Sequence, residues 1–387
     1  MKCMAPRYCG LNGVSIDHTH QINRRKNSMD IKDIMNIVDM DDAKFDDKHL
    51  NRRQFLIGSA AVAGSIFLAS CGGQSTTTGS GTSTTTKKYT IALVQGVKGD
   101  PFYVTMQKGA QAEADKLGAT LIVDGPAQFD ATLQTPIVDA LIARKVDAMI
   151  IAACDKQAMI APLQRANDAG IKVISVDTFI GNGDYTSGPV TFPLSYIGSD
   201  NVQGGMIAGQ SIIKAIGGKG KIYIQNVKPG ISTTDQREQG CKAAIQATNG
   251  AVTLVGVNYN NDSAATAAEQ TSALLRRVPD LSGIFGTNLF SAEGAAQAVK
   301  NANKQGTIKI ANFDAPVQSI TDLRNKVVDI VIAQLPGEMG KTAVDYAVQA
   351  LNGNTSGLKK RVPTGYVVID RTNVDTPEAQ NAIYKSS

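Results

Sequence analysis

From Tyr89 onward, short apolar runs rich in β-branched residues alternate with segments of helical periodicity. The runs at 89–95, 120–124, 147–152, 171–176, 220–225, 252–257, 282–286, 307–311 and 328–333 predict strands. Those from Asp147 to Ala152 and from Ile171 to Val176 are near-continuous apolar runs with little polar alternation. Strands of that kind are buried on both faces, which requires a parallel sheet covered by helices on each side. Between strands, Met106, Ala110, Ala114 and Leu117 fall on one helical face, and Gly118 supplies the stop. One such series precedes Ser195 and a second follows Asp200. The prediction is an α/β architecture of two doubly wound, parallel-sheet lobes. In open parallel sheets the ligand crevice lies beyond the carboxyl ends of the strands, so polar residues just after strands are the site candidates.

The chain upstream follows another pattern. Arg52 and Arg53 precede an uncharged run from Phe55 to Ala69, closed by Leu68, Ala69, Ser70 and Cys71. Its fifteen or so residues fall short of the roughly 20 that span a bilayer. The pattern resembles a twin-arginine bacterial lipoprotein signal, with Arg52 and Arg53 as the export pair and Cys71 as the lipidated residue. Ile57 stands where such signals commonly carry lysine, so the twin-arginine and general secretory routes both stay open. Residues 1–50 are polar, with an acidic cluster at Asp39, Asp41, Asp42, Asp46 and Asp47, and cannot bury a core. Met29, Met35 and Met40 are alternative starts, and residues 1–70 are expected to be discarded. Gly72 to Thr86 is Gly, Ser and Thr with one Gln, so residues 71–87 read as a lipidated cysteine and a flexible tether.

About 300 residues remain, enough for two ordinary domains. The whole chain carries 39 Lys or Arg against 34 Asp or Glu; removing residues 1–70, with ten and eight, leaves 29 against 26. That balance gives no reason to propose a nucleic-acid partner. His18, His20 and His49 all lie before Cys71, which argues against histidine-dependent catalysis and most zinc sites in the body. No metal and no cofactor is expected. Cys154 and Cys241 read as two buried thiols rather than a disulfide, because they fall in different lobes.

The strand ends carry Gly99-Asp100-Pro101-Phe102-Tyr103, then Val176-Asp177-Thr178, then Asp235 to Gly240 with Arg237 at its centre. Gly286-Thr287-Asn288, Asn312-Phe313-Asp314 and Ala333-Gln334-Leu335-Pro336-Gly337 follow. In this order and spacing, over roughly residues 88–370, the chain resembles the ribose-type periplasmic sugar-binding proteins of ABC transporters. The resemblance implies the type I periplasmic binding protein fold, two lobes joined by a hinge. Their expected bounds are 88–198 plus 335–363 for the first lobe and 199–334 plus 364–387 for the second, with connections near 198–200, 334–336 and 363–365. It implies an exported, lipid-anchored monomer on the outer face of the cytoplasmic membrane. Its partners would be a small sugar or polyol, an ABC permease and that permease's ATPase.

The chemistry of the matching residues suits a polyhydroxylated ligand. Phe102 and Tyr103 can stack on the apolar face of a sugar ring, although aromatics at a helix start also serve as core. Asp177 and Asp314 can accept hydroxyl protons in charge-assisted bonds, or can simply cap helices. Arg237 offers a fork of donors, or sits in a surface ion pair; Asn288 and Gln334 both donate and accept, as a hydroxyl does. Some positions depart from the family pattern. Asp100 replaces a usual Asn, Thr178 a common Arg, and Ala152 with Ala153 a polar Asn. The second aromatic platform is missing at Asn261 and Asp262, with Tyr259 or Phe290 as replacements. Ribose itself is therefore doubtful, and another sugar, a polyol or a different polar ligand stays open.

Three other classes compete. A sensory binding protein for a membrane receptor would use the same closed lobes. A sugar-responsive regulator would need a helix-turn-helix head where the export signal stands. A Rossmann-type enzyme would need Gly-x-Gly-x-x-Gly after the first strand, where Gln95 to Asp100 runs instead.

Overall fold

The strands are, in chain order, β1 (Thr90–Val94), β2 (Thr120–Asp124), β3 (Ala148–Ile151), β4 (Lys172–Val176), β5 (Tyr196–Ser199), β6 (Gly220–Asn226), β7 (Val252–Tyr259), β8 (Gly283–Gly286), β9 (Lys309–Phe313), β10 (Ile330–Ala333), β11 (Arg361–Thr364) and β12 (Val367–Ile369). The helices are α1 (Pro101–Lys116), α2 (Ala131–Ala143), α3 (Ile160–Asp168), α4 (Asn201–Ala215), α5 (Ser232–Gln246), α6 (Ala264–Arg277), α7 (Leu289–Asn301), α8 (Val317–Arg324), α9 (Pro336–Leu351) and α10 (Pro377–Asn381). This computed structural model describes residues 88–385. Arg52, Arg53, Cys71 and the tether lie outside the described residues.

The strands form two sheets of six, ordered β11-β5-β4-β3-β1-β2 and β12-β10-β9-β8-β6-β7. Both repeat one doubly wound pattern, with the order reversing at β1/β3 in the first and at β6/β8 in the second. All nine expected strands are present. The run placed at 307–311 becomes Lys309–Phe313, because the Thr307 and Ile308 amides close a turn onto the Lys304 carbonyl at 3.1 Å. The patterning missed three strands. Tyr196–Ser199 is only four residues long, and Arg361–Thr364 is a half-exposed edge strand carrying Pro363, tolerated only at an edge. Val367–Ile369 pairs antiparallel with β10, an exception to the parallel expectation.

The chain passes between the sheets at Asp200, at Gln334–Leu335 and at Gly365–Tyr366, so neither lobe is one continuous stretch. In each lobe the helix after the first strand packs on a helix entering from the other lobe: α1 on α9, and α4 on α5. Glycines set both crossings. A Cβ on Gly109 would sit 2.0 Å from the Gly337 carbonyl oxygen, and one on Gly205 would sit 2.0 Å from that of Arg237. Cys154 and Cys241 are buried and unbridged, and burial pushes the Cys241 thiol up to about 12. Among the described residues, no helix is long and apolar enough to cross a membrane.

Candidate ligand-binding cleft

The carboxyl ends of the strands in both sheets face one cavity, with an empty volume of about 410 Å3 that includes its opening to solvent. The structure brings all eight sequence candidates to its wall. Asp100, Phe102, Tyr103 and Asp177 come from the first lobe; Arg237, Asn288 and Asp314 come from the second. Gln334 lies in the crossing between β10 and α9.

The carboxylates are held in two different ways. Asp100 is a helix cap, its Oδ1 accepting from the Phe102 amide at 2.8 Å in extended backbone. Asp177 and Asp314 are not caps. Both adopt left-handed backbone, φ +60° and +76°, whereas an N-cap needs the extended region. The α8 cap position is Pro316, with no side-chain bond. Asp177 Oδ2 accepts from the Tyr103 hydroxyl at 2.8 Å, so Tyr103 serves both readings: its ring is buried and its hydroxyl orients a site carboxylate. Asp314 Oδ1 accepts from Gln334 Nε2 at 2.9 Å and from the Tyr384 hydroxyl at 3.2 Å. That same hydroxyl accepts from the Gln334 amide at 2.9 Å, and the Tyr384 ring meets the Phe102 ring edge-on at 5.8 Å.

Arg237 is 2% exposed, which removes the surface ion-pair reading. Nε donates to Asn201 Oδ1 at 2.8 Å and Nη1 to the Thr287 carbonyl at 2.9 Å, while the guanidinium lies 3.8 Å from the Phe313 ring centroid. Nη2 makes no hydrogen bond to another described residue. Asn288 caps α7 through Oδ1, which accepts from the Ser291 amide at 3.1 Å. Its Nδ2 donates to Asp262 Oδ1 at 2.6 Å.

Electrostatically the cavity is acidic. Burial, reinforced by Asp314, raises the Asp100 carboxyl well above its ordinary range. Burial pushes Asp177 up to about 6 against the opposing pull of Arg237 and the Tyr103 hydroxyl. It pushes Asp262 up to about 6 despite the Asn288 bond. Two buried polar atoms on the wall, Gln334 Oε1 and Thr234 Oγ1, have no partner. Such atoms cost about 1–3 kcal/mol each unless something binds them. Among the described residues, no group of three or more His, Cys, Asp or Glu is arranged to hold a metal ion.

The departures resolve structurally. Thr178 turns away and donates to the Ala153 carbonyl at 2.8 Å. Beside Ala152 and Ala153, the buried Gln134 occupies the space, bonding the Ala152 carbonyl at 2.8 Å and the Cys154 amide at 2.9 Å. Neither Tyr259 nor Phe290 lines the cavity, and the Tyr259 hydroxyl reaches Glu238 Oε2 at 3.3 Å instead. Phe129, in the loop after β2, is a further aromatic wall. Its ring fits because residue 96 is Gly: a Cβ there would fall 2.3 Å from Phe129 Cε2 and 2.4 Å from the Tyr103 hydroxyl oxygen. Asp262, Thr233 and Thr234 follow strands, so the same strand-end scan could have found them. Tyr384 has no such signal.

Direct bonds cross from lobe to lobe around the cavity. Lys156 Nζ pairs with Asp235 Oδ2 at 2.6 Å, and its amide donates to the Gly230 carbonyl at 3.0 Å. The Phe179 amide donates to Ser232 Oγ at 3.0 Å, and Lys228 Nζ to the Phe129 carbonyl at 2.7 Å.

Comparison with known proteins agrees with this geometry. The family described as a periplasmic binding protein domain matches residues 91–355. The ribose import binding protein of Escherichia coli is 31% identical over 285 residues, 73% of this chain and 91% of its own length. A solved ABC transporter solute-binding protein from Agrobacterium vitis, bound with α-D-tagatopyranose, is 46% identical with a TM-score of 0.75, covering 77% of this chain and 100% of that one. A second from the same organism, with bound D-fucose, is 29% identical with a TM-score of 0.72, covering 76% and 100%. With two doubly wound lobes, three crossings and a cleft built from strand ends, the chain belongs to the periplasmic binding protein family.

Proposed function

We propose that this protein is the binding component of an ABC importer, capturing one small sugar or polyol between its lobes and presenting the closed form to a membrane permease driven by its ATPase. The observation that carries this reading is the single cavity whose wall joins an aromatic ring, Phe102, to the Arg237 fork and to carboxylates from both lobes. Acceptors outnumber donors there: four carboxylates and Gln334 Oε1 face the Arg237 Nη2 edge and the Thr234 hydroxyl. An uncharged ligand with many hydroxyl protons fits that balance. A sugar phosphate or sugar acid would meet like charge. The tagatose and fucose held by the two solved relatives favour a six-carbon sugar. Asp100, Asp177, Asp314, Asn288 and Gln334 take the hydroxyls, Phe102 and Tyr103 form the apolar wall, and Arg237 bonds the ring or a hydroxyl oxygen. No ligand bond is made or broken.

Closure follows from differential affinity, because a ligand touching both lobes binds the closed state more tightly. The chain works as an exported monomer, tethered through Cys71 after removal of residues 1–70. Thermal-shift screening of residues 87–387 against D-tagatose, D-fucose, D-allose, D-arabinose and D-ribose tests the capture. The true ligand adds about 2.7 kcal/mol at a hundredfold excess over its Kd. No stabilisation by any of them, with no heat in calorimetry, overturns the reading. Radiolabelled palmitate incorporated by the wild type and lost in Cys71→Ser tests the anchor.

A further inference from the structure

We propose that Lys228 is a positioning residue: when the lobes meet, its docking on the Phe129 carbonyl sets the Phe129 ring as the second aromatic wall of the sugar site. This rests on the sugar-capture reading and adds to it which ring completes the clamp and what holds that ring in place.

The second lobe presents Asp262 to the cavity, where a ring is expected. Asn261 and Asp262 both have left-handed backbone, φ +55° and +63°, and Asp262 is bonded to Asn288. Phe102 and Phe129 both belong to the first lobe. The loop carrying Phe129 is fastened within its own lobe at two points. The Lys98 amide donates to the Pro126 carbonyl at 2.9 Å, and Asp130 caps α2 by accepting from the Thr132 amide at 2.7 Å. The carbonyl of Phe129 itself is taken by Lys228, from the loop after β6 in the opposite lobe. That loop meets the first lobe again at Gly230, and its Val227 and Ile231 line the cavity. One short segment of the second lobe thus walls the site and grips the loop bearing Phe129. Ring placement and lobe closure become one event.

Calorimetry on the intact protein with D-tagatose tests this. Lys228→Met keeps the aliphatic stem and removes the donor; Phe129→Leu removes the ring. Each is expected to raise Kd about three- to tenfold, with the double variant no weaker than the weaker single within about twofold. Losses that multiply overturn the proposal, since they make the two residues independent. A second arm reads the loop directly. The chain contains no Trp, so Phe129→Trp introduces a sole indole. With saturating D-tagatose and the lobes closed, acrylamide quenching of that indole rises on adding Lys228→Met if the contact holds the loop, and unchanged quenching in that closed state overturns the proposal. Failure of every sugar to bind the wild type sinks the capture reading instead, and the wild-type titrations show it before any variant is compared.

Discussion

Three of the cleft carboxylates, Asp177, Asp262 and Asp314, stand in left-handed backbone at φ +60°, +63° and +76°. Asp and Asn tolerate this conformation better than other side-chain-bearing residues, at a cost on the order of 1 kcal/mol or more. Asp177→Asn therefore keeps backbone and shape while removing charge. Burial raises Asp177 and Asp262 to about 6, so each binds its proton more tightly folded than unfolded. Their contribution to the stability of the closed, ligand-free form is complete below the ordinary carboxyl pKa of about 4 and is lost as pH rises through about 6. Ligand hydroxyls favour the ionised form, so sugar affinity is expected to rise from about pH 5 to about pH 7 and then level off, with protons released on binding. Calorimetry in buffers of differing ionisation heat measures that release, and Asp177→Asn should reduce it. Tyr384→Phe tests the support behind the site. Losing the hydroxyl that joins Asp314 to the Gln334 amide should cost about 1–3 kcal/mol in urea unfolding and weaken sugar binding.

Among elements, the glycine crossings fix the geometry of the site. Gly205→Ala places a methyl carbon 2.0 Å from the Arg237 carbonyl oxygen, so α4 and α5 must part. We expect a loss of about 1–3 kcal/mol in stability together with weaker binding, as Arg237 shifts with its helix. Gly357→Ala, with nothing within 4 Å of the added carbon, is the control and should stay within about 0.5 kcal/mol of wild type. Parallel strands buried on both faces leave unbroken apolar runs, which is why Ala148–Ile151, buried at every residue, is legible to within one residue of its ends. Arg361–Thr364 lacks that signature because it is a half-exposed edge run carrying Pro363, and in Tyr196–Ser199 the apolar run ends after two residues at Gly198. Asp177, Asn288, Asp314 and Gln334 were found because topology alone puts strand ends at the crevice. Phe129 depends on the space left by Gly96, and Tyr384 on an amide bonded to the Ala315 carbonyl at 2.9 Å, far away in sequence. Neither dependence has a local signature.

Closure of the two lobes should compact the protein. Small-angle scattering is expected to show a smaller radius of gyration with sugar, and curves unchanged by every bound ligand would count against a hinge. The Lys156–Asp235 pair bridges the lobes without lining the cavity, and both side chains are partly exposed. Lys156→Met should weaken sugar binding by no more than about fivefold, and the loss should shrink in high salt as the wild-type pair is screened. The three crossings also govern how such proteins can be recombined. A hybrid grafting a relative's second lobe onto this first one needs splice points at Asp200, Gln334–Leu335 and Gly365–Tyr366 together. A gene fused at one junction would give each half a mixed set of strands, so libraries shuffled by single exchange should yield mostly insoluble chains.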